Sequence, residues 1–160
     1  MLALRATENV RRRYKVMAVA SGGGHWVQLL RLTPAFADLD VVYVTVDPLY
    51  REQVPGTKFY LVNDATRWNK VGLIRMAARL AWIIGKERPN AIVSTGAAPG
   101  FIAIVLGRLI GARTVWLDSI ANLECMSLSG ERAGRFTDLW LTQWPHLTRS
   151  KGPHYEGSVL

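Results

Sequence analysis

Ser21-Gly22-Gly23-Gly24-His25 follows a short apolar run, Val16 to Ala20, and precedes Trp26, Leu29, Leu30 and Phe36 at roughly helical spacing. A strand, a glycine loop and a helix in that order bring backbone N–H groups and a helix N-terminus against an anionic or polar ligand. That outlines a phosphate or diphosphate site. The G-x-G-x-x-G spacing is not completed, because Val27 stands where the third glycine falls, and no G-K-[ST] follows. The loop therefore meets neither the dinucleotide nor the P-loop fingerprint. His25 opens the helix and is a candidate general base, since an imidazole can take up a proton near neutral pH; a polar residue capping the helix is the plainer alternative.

Ser94-Thr95-Gly96-Ala97-Ala98-Pro99-Gly100 repeats the arrangement, with small residues ahead of a helix that opens with proline. It offers a second set of backbone donors, or merely close packing of helix on sheet. Asp118-Ser119-Ile120-Ala121-Asn122 sets a carboxylate, a hydroxyl and an amide after another apolar run, with Glu124 close behind. Asp118 could act as a base, orient a sugar hydroxyl, or cap the next turn. Neither Ser21 nor Ser94 lies in a G-x-S-x-G elbow, so no Ser-His-Asp hydrolase is indicated. The three histidines, His25, His146 and His154, lie far apart, and the one cysteine is Cys125. No zinc-type spacing and no internal disulfide follow, and the expectation is a metal-free fold in a reducing compartment.

These loops need elements to hold them. Val16 to Ala20, Val41 to Val46, Lys58 to Val62, Ala91 to Thr95, Thr114 to Asp118 and Leu139 to Thr142 read as strands. Helical patterns fill Trp68 to Lys86 and Pro99 to Leu109, with Gly111 just past the second. Strands apolar throughout and separated by helices predict an α/β fold, a Rossmann-like parallel sheet with helices on both faces. Ligands in such sheets sit beyond the carboxyl ends of the strands, where the loops above fall.

With 160 residues, 49% hydrophobic and 20% charged, the chain fits one globular domain. Its formal charge is +8, and Arg5, Arg11, Arg12, Arg13 and Lys15 against Glu8 supply half of that excess. Residues 1–15 thus read either as a basic arm suited to an anionic partner, nucleic acid or the inner membrane leaflet, or as a frayed, solvated terminus. Met1 to Lys15 has no apolar stretch of the secretory kind, so a cytoplasmic protein is expected. The longest uncharged run, Pro89 to Gly107, has turn chemistry at its centre and is not read as a membrane span. On the 68–86 helix, Trp68, Gly72, Arg75, Arg79, Trp82 and Lys86 share one stripe. Leu73, Ala77, Leu80, Ala81 and Ile84 mark the expected core face, with Met76 and Ile83 flanking the basic stripe. Indole rings interleaved with Arg and Lys suit a lipid headgroup interface, though apolar stems covering an ordinary surface give the same pattern. The aromatic residues are not arranged as a base-stacking sheet, which argues against nucleic acid as the partner.

One ordered set of motifs carries a family resemblance. It comprises the Ser21 to His25 loop running into Gln28-Leu29-Leu30, the Ser94 to Gly100 loop, Asp118-Ser119 and Ser127-Leu128-Ser129-Gly130. It ends with Gln143-Trp144-Pro145 and the stretch Gly152-Pro153-His154-Tyr155-Glu156-Gly157-Ser158-Val159-Leu160. From Met17 to Leu160 the sequence resembles the bacterial exopolysaccharide proteins typified by PssD. It equally resembles the eukaryotic Alg-type membrane subunit that recruits a UDP-N-acetylglucosamine-binding subunit in dolichol-linked oligosaccharide assembly. It is more distantly similar to the amino-terminal half of MurG.

The resemblance implies the amino-terminal, acceptor-side half (residues 16–160) of a GT-B glycosyltransferase split between two polypeptides. A PssE- or Alg-type partner would bind the UDP-sugar donor, and no cofactor or metal would be needed. The implied reaction moves N-acetylglucosamine or glucuronic acid to a polyprenyl-diphosphate-linked saccharide in exopolysaccharide or capsule assembly. It would take place on the cytoplasmic face of the plasma membrane. In this reading His25, or else Asp118, deprotonates the acceptor, and Ser21, Gly22, Gly23, Gly24, Thr95 and Gly96 meet its diphosphate. Trp68, Arg75, Arg79 and Trp82 meet the lipid surface, and the 144–160 tail docks on the partner through Trp144 and Tyr155. The eukaryotic relatives carry a transmembrane anchor that this sequence lacks, so attachment would rest on the basic arm and interfacial helices. The alternative is a membrane scaffold that recruits a partner holding every catalytic group.

Overall fold

The computed structural model describes residues 13–159. Within them, β1 (Lys15–Val19), β2 (Asp40–Thr45), β3 (Lys58–Leu61), β4 (Ala91–Ser94), β5 (Arg113–Leu117), β6 (Leu139–Thr142) and β7 (His154–Tyr155) form one sheet. Its order is β3-β2-β1-β4-β5-β6-β7, and every neighbouring pair is parallel. The chain winds outward from β1 to β3, returns to the centre at β4 and winds the other way, so the switch point lies between β1 and β4. This is the Rossmann-like sheet expected from the apolar runs, with one more strand. The two-residue β7 is too short to carry a period that sequence alone could reveal.

Alternating side chains feed two cores. Met17 and Val19 face α2 (Lys70–Glu87), α3 (Ala97–Leu109) and α4 (Leu128–Ala133), whereas Val16, Ala18 and Ala20 face α1 (Gly24–Arg31) on the other side. The short α4 was not anticipated. It is nucleated by Ser127, whose hydroxyl accepts the Gly130 N–H at 2.8 Å as an N-cap.

The phase of α2 departs from the expectation. The helix starts at Lys70, capped by the Asn69 side chain on the Gly72 N–H, and Trp68 lies in the turn before it. Its buried positions are Gly72, Met76, Leu80, Ile83, Ile84 and Glu87. Met76 and Ile83, expected beside the basic stripe, are fully buried; Ala81, expected in the core, is exposed; Leu73 and Ala77 are half-exposed. The core face is turned by about 60° from the predicted one, the angle of a three-residue shift along a helix. Arg75, Arg79, Trp82 and Lys86 nevertheless remain exposed. Among the described residues, no helix is long and apolar enough to cross a membrane.

The arm's residues 1–12 lie outside the described residues, while Lys15 is the first residue of β1. At this end of the sheet a buried carboxylate ties three elements. Glu87, 5% exposed, accepts from Lys15 Nζ (3.0 Å), Lys58 Nζ (2.8 Å) and Tyr60 Oη (2.6 Å). Burial pushes its carboxyl up, but the hydrogen bonds from Lys58, Tyr60 and Lys15 outweigh that and hold it at about 2.

Candidate functional site

The two glycine-containing loops meet at the switch point. His25 Nδ1 lies 2.9 Å from the Thr95 carbonyl oxygen, and Thr95 Oγ1 donates to the His25 carbonyl at 2.6 Å. A carbonyl only accepts, so Nδ1 carries the proton, and in the neutral ring Nε2 is left with its lone pair. Gly96 makes this contact possible. A Cβ there would stand 2.4 Å from Nδ1, and its φ of +142° is a conformation that side-chain-bearing residues rarely adopt. Ala97, the first residue of α3, takes φ +63°, a left-handed value that a β-carbon disfavours.

Aromatic packing fixes the other side of the glycine loop. Trp26 is buried, stacks on Tyr50 with centroids 4.8 Å apart, and donates through Nε1 to Gln53 at 2.8 Å. Tyr50 Oη accepts the Gly23 N–H at 2.8 Å. One of the donors expected to face a diphosphate is thus already engaged by the protein. The first amides of α1 have no acceptor within the helix and remain the loop's donors. Ser21 is half-buried and its hydroxyl turns back to the Gly22 carbonyl at 3.5 Å. Tyr50→Phe keeps the stacking and removes the acceptor. We expect a loss of about 0.5–1.5 kcal/mol, read as a fall in melting temperature of roughly 2–5 °C, with faster amide exchange at Gly23.

Asp118 is 1% exposed, and its carboxylate accepts four hydrogen bonds. The donors are Trp116 Nε1 (3.1 Å), Asn122 Nδ2 (3.0 Å), the Ser127 N–H (2.8 Å) and Ser127 Oγ (2.5 Å). With its lone pairs occupied, this carboxylate holds the 119–127 loop to the end of β5; a positioning role fits it better than proton transfer. Behind it, the buried Gln28 donates to Ser119 Oγ at 3.3 Å. Gln143 Nε2 donates to Gln28 Oε1 at 3.3 Å and to the Asp118 carbonyl at 2.9 Å. Gln143 Oε1 in turn accepts the Val159 N–H at 2.9 Å, tying the tail to the same network.

His25, Ala97, Ser119, Ala121, Asn122, Ser127, Leu128 and Ser129 line a cleft of about 270 Å³. The structure therefore places His25, Thr95, Gly96 and the Asp118 loop side by side at the switch point. Sequence reasoning missed Tyr50 and Gln53 as supports, and it named Ser119 and Ser127 as motif members without their partners. The usable signal was Gln28, a polar residue on the inward face of α1 that burial obliges to find partners. The lipid-surface candidates are elsewhere. Trp68 is 80% and Trp82 50% exposed, with Arg67 over the Trp68 ring at 4.8 Å, and Arg79 and Lys86 over Trp82 at 4.7 and 4.9 Å. Arg75 is exposed on the same helix. Of the tail candidates, Trp144 is half-buried and donates its Nε1–H to the Ile120 carbonyl at 2.9 Å, while Tyr155 is exposed on the edge strand β7. No group of three or more potential metal ligands occurs among the described residues.

No protein-family model matches the chain. It is similar to the UDP-N-acetylglucosamine transferase subunit ALG14 of Yarrowia lipolytica, with 29% identity over 83% of this chain and 74% of that protein. The subunit of the same name from Eremothecium gossypii is 24% identical over 84% of this chain and 74% of its own length. Among solved structures, MurG from Acinetobacter baumannii superposes with a TM-score of 0.72 at 13% identity over 88% of this chain. The UDP-N-acetylglucosamine 2-epimerase from Rickettsia bellii gives 0.71 at 13% identity over 92%. The chain spans 45% of each of these two solved chains, less than half of their length. MurG and an epimerase share the fold at nearly equal scores, so the structural likeness speaks for the Rossmann-like domain alone.

Proposed function

We propose that this chain is the acceptor-binding, membrane-associated subunit of a two-subunit glycosyltransferase that moves N-acetylglucosamine from UDP to a polyprenyl-diphosphate-linked saccharide. The observation that carries the reading is the His25 clamp. Nδ1–H is committed to Thr95, and Nε2 is left as a proton acceptor on a residue that lines a cleft at the switch point. His25 Nε2 takes the proton of the acceptor hydroxyl as that oxygen attacks the anomeric carbon, and UDP leaves with the electron pair of the broken C–O bond. One Rossmann-like domain supplies one wall of such a site, and the donor half is assigned to a second polypeptide in keeping with the word subunit in the names of the two relatives. The names of the two curated relatives support both the sugar nucleotide and the word subunit. The place in exopolysaccharide or capsule assembly, and attachment at the cytoplasmic face, rest on the PssD-type motif set and on the exposed Trp68, Arg75, Arg79 and Trp82.

Co-purification of this chain with the product of an adjacent open reading frame, followed by assay of UDP-N-acetylglucosamine on membrane lipid, tests the reading. Transfer is expected from the pair and not from either chain; transfer by this chain alone overturns it. A second reading, a scaffold whose partner holds every catalytic group, draws on the saturation of Asp118, which leaves His25 without a companion carboxylate.

A further inference from the structure

Beside the His25 cleft lies a larger trough, of about 610 Å³. Its floor and walls are Leu73, Ile74 and Ala77 of α2, Phe101 and Ile102 of α3, and Leu128 of α4. We propose that this trough seats the first isoprene units of the acceptor's lipid chain, so that the chain recognises the lipid itself as well as its saccharide; the proposal rests on the function above and deepens it.

Three observations favour a prenyl diphosphate as the occupant. The trough adjoins the His25 cleft: Leu128 and Ser129 line both, and the neighbouring Ala98 and Ala97 line one each. Beside the hydroxyl residues Thr66 and Ser129, its charged lining is cationic only: Arg67 and Arg132 stand on it and no carboxylate does. An apolar channel with positive charge at its rim complements an amphiphile whose head is an anion. Two of its apolar lining residues are themselves exposed, Ile74 at 69% and Leu128 at 54%, and Trp68, at 80%, follows the lining residue Arg67 in sequence. A lipid chain leaving the trough would pass onto residues suited to the interface, beside the Arg67–Trp68 pair. This geometry also explains why Leu73 and Ala77 are left half-exposed on a helix whose core face lies elsewhere.

The test uses the full chain without partner or donor, so its outcome is separate from that of the transferase assay. Farnesyl diphosphate is titrated by equilibrium dialysis, with inorganic diphosphate and farnesol as controls. Saturable binding of farnesyl diphosphate, about tenfold or more tighter than either control, is expected. Ala77→Trp, which fills the trough, and Arg132→Gln, which removes rim charge, are each expected to weaken it about tenfold. A benzophenone-bearing farnesyl diphosphate should cross-link the unaltered chain within 73–77 or 101–102, a readout that needs no variant to fold. Three results overturn the proposal. One is farnesyl diphosphate bound no tighter than inorganic diphosphate. Another is undiminished binding in a folded Ala77→Trp variant. The third is an Ala77→Trp variant that binds the lipid normally but no longer pairs with the partner subunit or with a second copy, which would make the trough a protein interface. An active two-chain transferase with no such binding would remove this inference while leaving the function intact.

Discussion

His25→Ala is expected to lower turnover of the assembled transferase about 10²- to 10⁴-fold, the usual worth of a positioned general base. The domain should remain folded. The variant gives up one hydrogen bond, from Nδ1 to the Thr95 carbonyl, so about 1 kcal/mol of stability is at stake. The split between kinetic constants is informative. A base that acts only as the acceptor hydroxyl ionises should reduce kcat and kcat/KM together and leave KM near its starting value. Steady-state assay of the purified pair, with a melting curve of the variant beside it, reads both quantities. Turnover close to that of the unaltered enzyme would retire His25 as the base and favour the scaffold reading.

Glu87→Gln carries the second large effect, on stability. The carboxyl is held at about 2 by Lys58, Tyr60 and Lys15 against the opposing effect of burial, compared with 4.5 for an ordinary glutamate. A carboxyl lowered in the folded state means that the unfolded chain binds the extra proton. The stabilisation is then complete above about pH 5 and disappears as pH falls through the window toward 2. Its ceiling at neutral pH is about 3 kcal/mol, reduced by solvent at the half-exposed Lys58. Urea unfolding at a series of pH values should show the unaltered chain more stable than Glu87→Gln at pH 7, the gap narrowing below about pH 5 and closing only as pH falls through about 2. A difference that stayed constant across that range would mean that shape, not charge, holds this corner.

How much of this was legible beforehand follows from the range of each interaction. The six longer strands were legible because each is an apolar run closed by turn residues, and their parallel arrangement followed from the helices between them. The glycine loop and His25 were legible for the same local reason. The phase of α2 was not. Leu73, Ala77, Leu80, Ala81 and Ile84 make a plausible apolar stripe, but the helix buries Met76, Leu80, Ile83, Ile84 and Glu87. The two stripes share Leu80 and Ile84, and the second ends on a charge that hydropathy would place outside. Only Lys15, Lys58 and Tyr60, far away in sequence, make that burial tolerable. Asp118 shows the same limit at the cleft. Its position after a strand was readable, but its role depends on Trp116, Asn122 and Ser127 converging on one carboxylate. The Tyr50 support of Gly23 spans 27 residues and leaves no local mark.

The His25–Thr95 clamp joins residues 70 apart, Gln28 reaches Ser119 across 91, and Gln143 reaches Gln28 across 115. Each contact must close a long loop before it contributes anything, and every connection in an all-parallel sheet is a crossover. Assembly of the cleft therefore belongs to the slow, non-local part of folding, on a scale of roughly milliseconds to seconds. During synthesis the glycine loop emerges long before β4, the strand that β1 needs on its second side. A nascent chain that stops short of Ser94 has its imidazole but nothing to orient it, so competence for chemistry arrives only when the middle of the sheet closes.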